Sequence, residues 1–371
     1  MIEIEDINYL SDQIITYIGN KRSLLSHINK AVIRVKKRIG KSHLRIFDAF
    51  SGSGIVSRFM KVHASYIASN DFEDYAALIS RCYLQNRSSV NLAAITKIVE
   101  ELNNRVDEPF PKGFIEKLYA PKDESRVTQD DRVFYTPDNA RRLDNYRRMI
   151  EDYPLNFRDS LLGPLLSKAS VHSNTSGVFK GFYKNKITGI GQYGGTNSNA
   201  LSRIKGKIEL EPPVLSQFEC DYEVYHDDTN KIASQIKDLD LTYIDPPYNQ
   251  HPYGSNYFML NLLVHYKEPT EISRVSGIPK GWKRSGYNVQ TKSKELFNNL
   301  LHTIDTRFFL ISFNNEGFIP PDEMRAMLQK IGTVDEFEIR YNTFRGSRNL
   351  RNRNIHVTEQ LFLVERNFNG K

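Results

Sequence analysis

The sequence predicts an α/β protein. It is expected to form a doubly wound, mostly parallel sheet of seven strands that ends in an antiparallel hairpin, with a module inserted mid-chain. Three observations carry this expectation. Short apolar runs that end near an acid alternate with helix-compatible stretches at both ends of the chain. That rhythm stops after residue 107 and resumes near 221, so 1–107 and 221–371 are expected to form one domain around an insert at 108–220. Two alternating segments, 334–344 and 354–366, close the chain around an arginine-rich loop.

The elements follow in order. "LRIFDAF" (44–50) is a strand, "SGSG" a glycine turn and "IVSRFMKVH" the start of a helix. "SYIASND" (65–71) is a second strand ending at Asp71, and helical spacing covers 74–86 and 90–106. The stretch after 107 is polar and proline-punctuated, and 176–207 is glycine-rich; neither predicts regular alternation. Strands at 222–226, 239–245 and 307–313 follow, with helices at 229–237, 255–266, 292–303 and 321–331. The last helix opens on a Pro-Pro pair, where proline is tolerated.

The 371 residues suffice for one large domain with an insert or for two domains. Cys82 and Cys220 show no metal-ligand spacing and are expected to be buried thiols, and the nine histidines predict no zinc site. No run is long enough to span a membrane, and the N-terminus lacks a signal-peptide layout, so a cytoplasmic location is expected. The net charge of +7 is unevenly spread. Residues 160–208 hold seven Lys/Arg and no acid, 272–294 hold six and no acid, and 345–354 hold four arginines among three asparagines. Such segments point to a nucleic-acid surface, the alternative being solvated basic loops.

Ligands in an open parallel sheet bind beyond the carboxyl ends of the strands. Asp48, Asp71 and Asp245 end predicted strands, and Asp227–Asp228 follows another. Acids gathered on one edge raise one another's pKa, so their placement needs a reason. In "DAFSGSG", Gly52 and Gly54 let the backbone approach a ligand. The full dinucleotide fingerprint and the phosphate-loop Lys-Ser/Thr are missing, which favours a ligand without a pyrophosphate. Asp71 can accept ribose hydroxyls or cap the next helix. In "TYIDPPYN" the prolines let Asp245 and the Pro246 carbonyl converge on one amine, and Tyr248 offers a face for a planar base. A packed Pro-Pro turn is the alternative.

"YIGNKRSLL" (17–25), "FDAFSGSG" (47–54), "SND" (69–71) and "DPPY" (245–248), in that order, resemble the Dam-like (D12 class) DNA adenine-N6 methyltransferases. Tyr17 stands where such enzymes often carry Trp, and Asn20 replaces a glycine. The resemblance implies a class I methyltransferase fold and S-adenosylmethionine as methyl donor. It assigns Tyr17 and Lys21 to cofactor contact, Lys21 to the cofactor's carboxylate, and Asp48 with the Phe50, Ser51, Gly52 and Gly54 backbone to its methionine part. Asp71 is assigned to the ribose and Asp228 or Asp227 to the adenine amino group, with Asp245 bordering the same site. A helix-capping role explains Asp228 equally well.

The catalytic residues implied are Asp245, Pro246 and Tyr248. Accepting both amino hydrogens of a flipped adenine at Asp245 and Pro246 O frees the nitrogen lone pair for attack on the sulfonium methyl. The insert is expected to select the target in double-stranded DNA through Lys180, Lys184, Lys186, Arg203 and Lys205. Arg345, Arg348 and Arg351 are expected to grip phosphates. "ISFNNEGF" (311–318) is a pocket wall or a capping turn. No metal or membrane is implied, and a separately acting restriction endonuclease is the expected companion. Alternatives are a cytosine-N4 enzyme, which more often carries Ser at 245, an RNA or protein-glutamine methyltransferase, or a non-catalytic DNA-binding protein.

Overall fold

The computed structural model describes residues 5–195, 198, 200–314, 317–342 and 356–367. Seven strands form one sheet: β1 (Leu44–Asp48), β2 (Ala64–Asn70), β3 (Asp221–Tyr225), β4 (Leu239–Ile244), β5 (Thr306–Asn314), β6 (Gly332–Asn342) and β7 (His356–Arg366). Their order is β3-β2-β1-β4-β5-β7-β6. The first five are parallel, and β7 runs antiparallel to both β5 and β6. This is the expected class I methyltransferase architecture.

Alternate residues of the central strands face opposite layers, as a period of two requires. Leu241, Phe308 and Leu310 pack with Ile28, Val32 and Val35 of the helix Leu25–Ile39. Ile244, Phe309 and Ile311 pack with Phe297 and Leu300 of Gln290–Thr303 and with Met324 and Leu328 of Pro321–Ile331. Because helices cover both faces, β4 is buried at every residue and reads as an apolar run.

The chain runs outward from β1 to β3, then returns to place β4 on the other side of β1. The strand order therefore reverses between β1 and β4, where open sheets open a crevice. The register pairs Asp48 with Tyr243, so the turn after β1 and the Pro-Pro segment after β4 leave the sheet side by side.

The 108–220 stretch is more helical than its composition predicts, with helices at Phe114–Tyr119, Pro137–Glu151 and Leu155–Val171. The second is capped by Thr136, whose side chain accepts from Asn139 N, with proline in its first turn. Its buried residues mix apolar Leu143, Met149 and Ile150 with Arg142, Asp144 and Arg147, which blurs the apolar period. Arg142 Nε donates to Ile208 O at 2.7 Å, Arg147 Nε donates to Leu263 O at 2.7 Å, and Asp144 accepts from Glu116 N at 2.8 Å. The third helix contains Pro164, a residue that argues against a helix interior. All three share an apolar core with Asp74–Tyr83 and Phe258–His265.

Elsewhere the differences are short. The helix expected at 229–237 ends at Ile232, and the one at 255–266 splits into Tyr253–Asn256 and Phe258–His265 around buried Tyr257. Cys82 and Cys220 are buried free thiols. Among the described residues, no helix is long and apolar enough to cross a membrane, and no group of three His, Cys, Asp or Glu could hold a metal ion.

Candidate active site at the switch point

A hollow of about 800 Å³, partly open to solvent, lies where β1 and β4 end. Tyr17, Lys21, Phe50, Ser51, Gly52, Asp71, Asp228 and Asp245 border it, all of them expected from the sequence. Phe72, Glu73, Tyr253 and Tyr287 border it too and were not anticipated.

The glycine turn forms the floor. Gly52 has φ +51, and a Cβ there would lie 2.8 Å from Tyr17 Cε1, so only glycine fits beneath the ring. Tyr17 is itself stacked against Tyr253 and Tyr257, with centroids 5.0 and 4.9 Å away. Ser51 N donates to Asn70 O at 2.9 Å, which ties the turn to the end of β2. Gly54, φ +73, leads into the helix Ile55–Met60 and does not border the hollow.

Asp71 borders the hollow and accepts from Gly52 N at 2.7 Å and from Glu73 N at 2.9 Å, but it does not cap the next helix: the N-cap of Asp74–Tyr83 is Glu73, without a side-chain capping bond. Burial pushes the Asp71 carboxyl up to about 6, against those backbone bonds. Glu73, beside it, is buried and accepts from Asn261 Nδ2 at 2.9 Å; burial pushes it up to about 7. Asp228 caps Thr229–Ile232 through Asn230 N at 2.9 Å and borders the hollow.

Asp48 differs from expectation. It is fully buried, lies off the hollow and accepts from Ser57 Oγ at 2.5 Å, so it braces the turn from behind. Burial pushes its carboxyl up to about 7.

Lys21 also differs. Its ammonium, 2% exposed, lies 2.9 Å from Asp245 Oδ2 and 3.3 Å from Glu359 Oε1, and donates to Gly19 O at 3.1 Å. Three N–H groups meet three protein oxygens, which leaves none for the ligand carboxylate that the resemblance assigns to it. Burial pulls its pKa down, but Asp245 and Glu359 together hold it well above the usual lysine range.

Asp245 is 16% exposed. Burial raises its carboxyl above the usual range, Lys21 opposes that, and Glu359 adds to it. Glu359 was missed by the sequence reading. The available signal was its alternation phase on β7, which it shares with buried Leu361 and Leu363, an unusual place for a lone acid.

Pro246 and Tyr248 line a smaller adjoining slot of about 200 Å³. Phe313 and Phe318 form its other wall, so the 311–318 segment contributes a pocket wall; Asn315 and Glu316 lie outside the described residues. The Tyr248 ring meets Phe313 edge-on at 5.7 Å. From the basic loop, Tyr287 reaches both spaces and packs edge-on against Phe50 at 5.1 Å.

The basic residues of the 108–220 stretch sort into two kinds. Lys180 and Lys186 are exposed and make no ion pair among the described residues, and Lys184 lies over the Phe182 ring at 5.0 Å. Arg203 instead donates to the carbonyls of Val171, Ser173 and Thr175, and Lys205 pairs with Glu124 at 2.7 Å. Arg345, Arg348 and Arg351 lie outside the described residues.

The sequence is similar over most of its length to several known methyltransferases and methylases. It is 27% identical to Type II methyltransferase M.NlaIII of Neisseria lactamica, covering 95% of this chain and 99% of that protein. It is 28% identical to Type II methyltransferase M.CviAII of Paramecium bursaria Chlorella virus 1, covering 86% and 90%. With Modification methylase StsI of Streptococcus sanguinis the identity is 26% over 94% of this chain and 52% of that protein. Residues 17–327 match the family described as D12 class N6 adenine-specific DNA methyltransferase. With the glycine turn and the "DPPY" segment meeting at one hollow, the chain belongs to the D12 class of N6 adenine-specific DNA methyltransferases.

Proposed function

We propose that this protein transfers the methyl group of S-adenosylmethionine to N6 of an adenine flipped out of double-stranded DNA. We further propose that it acts at specific sites, as the modification half of a restriction–modification pair. The observation that carries the chemistry is Asp245: Lys21 holds its Oδ2, while Oδ1 is buried and has no hydrogen-bond partner among the described residues. A buried acceptor without a donor costs roughly 1–3 kcal/mol, and an amino N–H supplied by a substrate removes that cost.

The hollow fits the methyl donor. The Gly52 floor leaves space that a Cβ would fill, Tyr17 and Tyr253 present aromatic faces suited to a cationic ligand, and Asp71 offers a carboxylate for ribose hydroxyls. Bound there, S-adenosylmethionine supplies an electrophilic methyl group on a sulfonium.

The chain's own residues prepare the nucleophile. In this proposal Asp245 Oδ1 and the carbonyl of Pro246, the next residue in the chain, accept the amino hydrogens, which draws the nitrogen lone pair out of the ring system. Tyr248 stacks on the base, offsetting the few kcal/mol needed to leave the duplex. When the nitrogen gains its methyl it must lose one proton, and the raised Asp245 carboxyl is the first acceptor within reach. Positioning and electrostatics carry most of the rate.

The 108–220 stretch is proposed to read the target sequence, with exposed Lys180 and Lys186 on phosphates. The modification role is supported by the names of the relatives, two Type II methyltransferases and a modification methylase. An acid at 245 and the family favour adenine over cytosine N4.

The test is expression in a host without its own adenine methylation, followed by sequencing with detection of modified bases. N6-methyladenine confined to one short motif is expected. Modified cytosine, or no modified base with purified protein, DNA and donor, would overturn the reading.

A further inference from the structure

We propose that Glu359, on β7, is a positioning residue for the transfer site, orienting the Asp245 carboxylate through the ammonium of Lys21. This rests on the role of Asp245 proposed above.

β7 is the strand that breaks the parallel order, and its register with β5 pairs Glu359 with Asn314, the last residue of β5. That brings an acid from near the C-terminus to the sheet edge where β4 releases Asp245. The side chain is 0% exposed, and a lone charge in that position is costly unless it is paired and hydrogen-bonded. Both conditions are met at Oε1, which accepts from Ser312 Oγ at 2.5 Å and lies 3.3 Å from Lys21 Nζ.

Without Glu359 the Lys21 ammonium would have two oxygens for three N–H groups and would be free to turn into the hollow. With it, the ammonium is held from three sides, and Asp245 Oδ2 is held in turn. What remains is a single acceptor, Oδ1, at a fixed position. The Asp245–Lys21–Glu359 cluster sets two carboxyl groups against a single ammonium, an arrangement suited to a cationic methyl donor next to it.

The cluster also has a defined electrostatic sign. Glu359 raises the Asp245 carboxyl, so its removal leaves Asp245 ionised down to lower pH. The other titratable groups around this pair are Tyr243 on β4, Tyr248 and Tyr253 beyond it, Asp48 at the end of β1 and Asp71 after β2. Substitution at 359 leaves all of them in place.

The experiment measures kcat, the KM for S-adenosylmethionine and the pH profile of methyl transfer for wild type, Glu359→Gln and Glu359→Asp. Glu359→Gln keeps the volume and an acceptor for Ser312. It is expected to lower kcat about tenfold or more, leave KM within about threefold, and move the acid limb to lower pH. Glu359→Asp keeps the charge but loses reach, so it should lower kcat without moving the limb. A Glu359→Gln enzyme with unchanged kcat and an unmoved limb overturns the proposal. So does a lower melting temperature with an unmoved limb, since that is a purely structural role. Should Glu359→Gln fail to fold, Ser312→Ala removes only the hydroxyl that holds Glu359; an unchanged kcat there overturns the proposal as well. A wild-type protein that makes no N6-methyladenine in the same assay refutes the functional reading instead.

Discussion

Lys21 Nζ touches one oxygen of Asp245 at 2.9 Å, and the other oxygen of that carboxylate is buried with no hydrogen-bond partner among the described residues. The pair divides two tasks between two atoms. Oδ2 keeps the acid oriented and ionised, and Oδ1 remains for a substrate donor. An Asp buried without its lysine would be held protonated, and a protonated acid accepts poorly.

Removing the acceptor tests that division. Asp245→Ala should lower kcat by about a hundredfold or more, the scale for losing a preorganised polar group at a reacting centre. Binding of S-adenosylhomocysteine, measured by calorimetry, should change only a few-fold. Retained turnover would take Asp245 out of the chemistry.

Gly52→Ala should weaken the same calorimetric affinity without unfolding the protein. The added methyl meets the Tyr17 ring at 2.8 Å, and φ +51 is strained for alanine. The local cost is roughly 1–2 kcal/mol, felt where the ring and the turn enclose the ligand. Unaltered affinity with a native circular dichroism spectrum would show that the turn does not touch the donor.

Asp48 makes a prediction about stability and pH. Its folded pKa, pushed up to about 7 by burial, stands above the ordinary 3.8, so the folded state prefers the protonated acid. The stability it contributes is complete below pH 3.8 and lost as pH rises through about 7. Asp48→Asn removes that loss while keeping an acceptor for Ser57. The variant should melt higher than wild type near pH 8, by an amount on the order of 4 kcal/mol at most, and close to wild type near pH 4. Equal melting temperatures at both values would mean that Asp48 is ionised at no cost in the fold.

The basic segment should separate by partner. Lys180→Ala and Lys186→Ala should each weaken DNA binding and reduce the slope of log affinity against log salt by about one. Arg203→Ala should instead lower the melting temperature, because three carbonyls lose their donor, at roughly 1–3 kcal/mol. A salt slope unchanged by either lysine variant would remove this face from the DNA contact.

Much of the site is legible in the chain itself because its parts are local. The glycine turn follows β1 directly, Asp71 follows β2, and "DPPY" follows β4, so strand ends and nearby motifs locate the hollow. The fold is legible for the same reason, since apolar runs mark buried strands and the 3.6-residue period marks the helices between them. The helices of the 108–220 stretch are not, because Pro137–Glu151 buries arginine and aspartate that look like surface residues until their carbonyl and amide partners are placed. Only the tertiary structure decides which oxygens hold Lys21. Glu359 lies 338 residues away in sequence and reaches the ammonium because β7 inserts antiparallel between β5 and β6. A strand-end motif records what a residue is beside in the chain; a buried charge is defined by what the folded sheet brings against it.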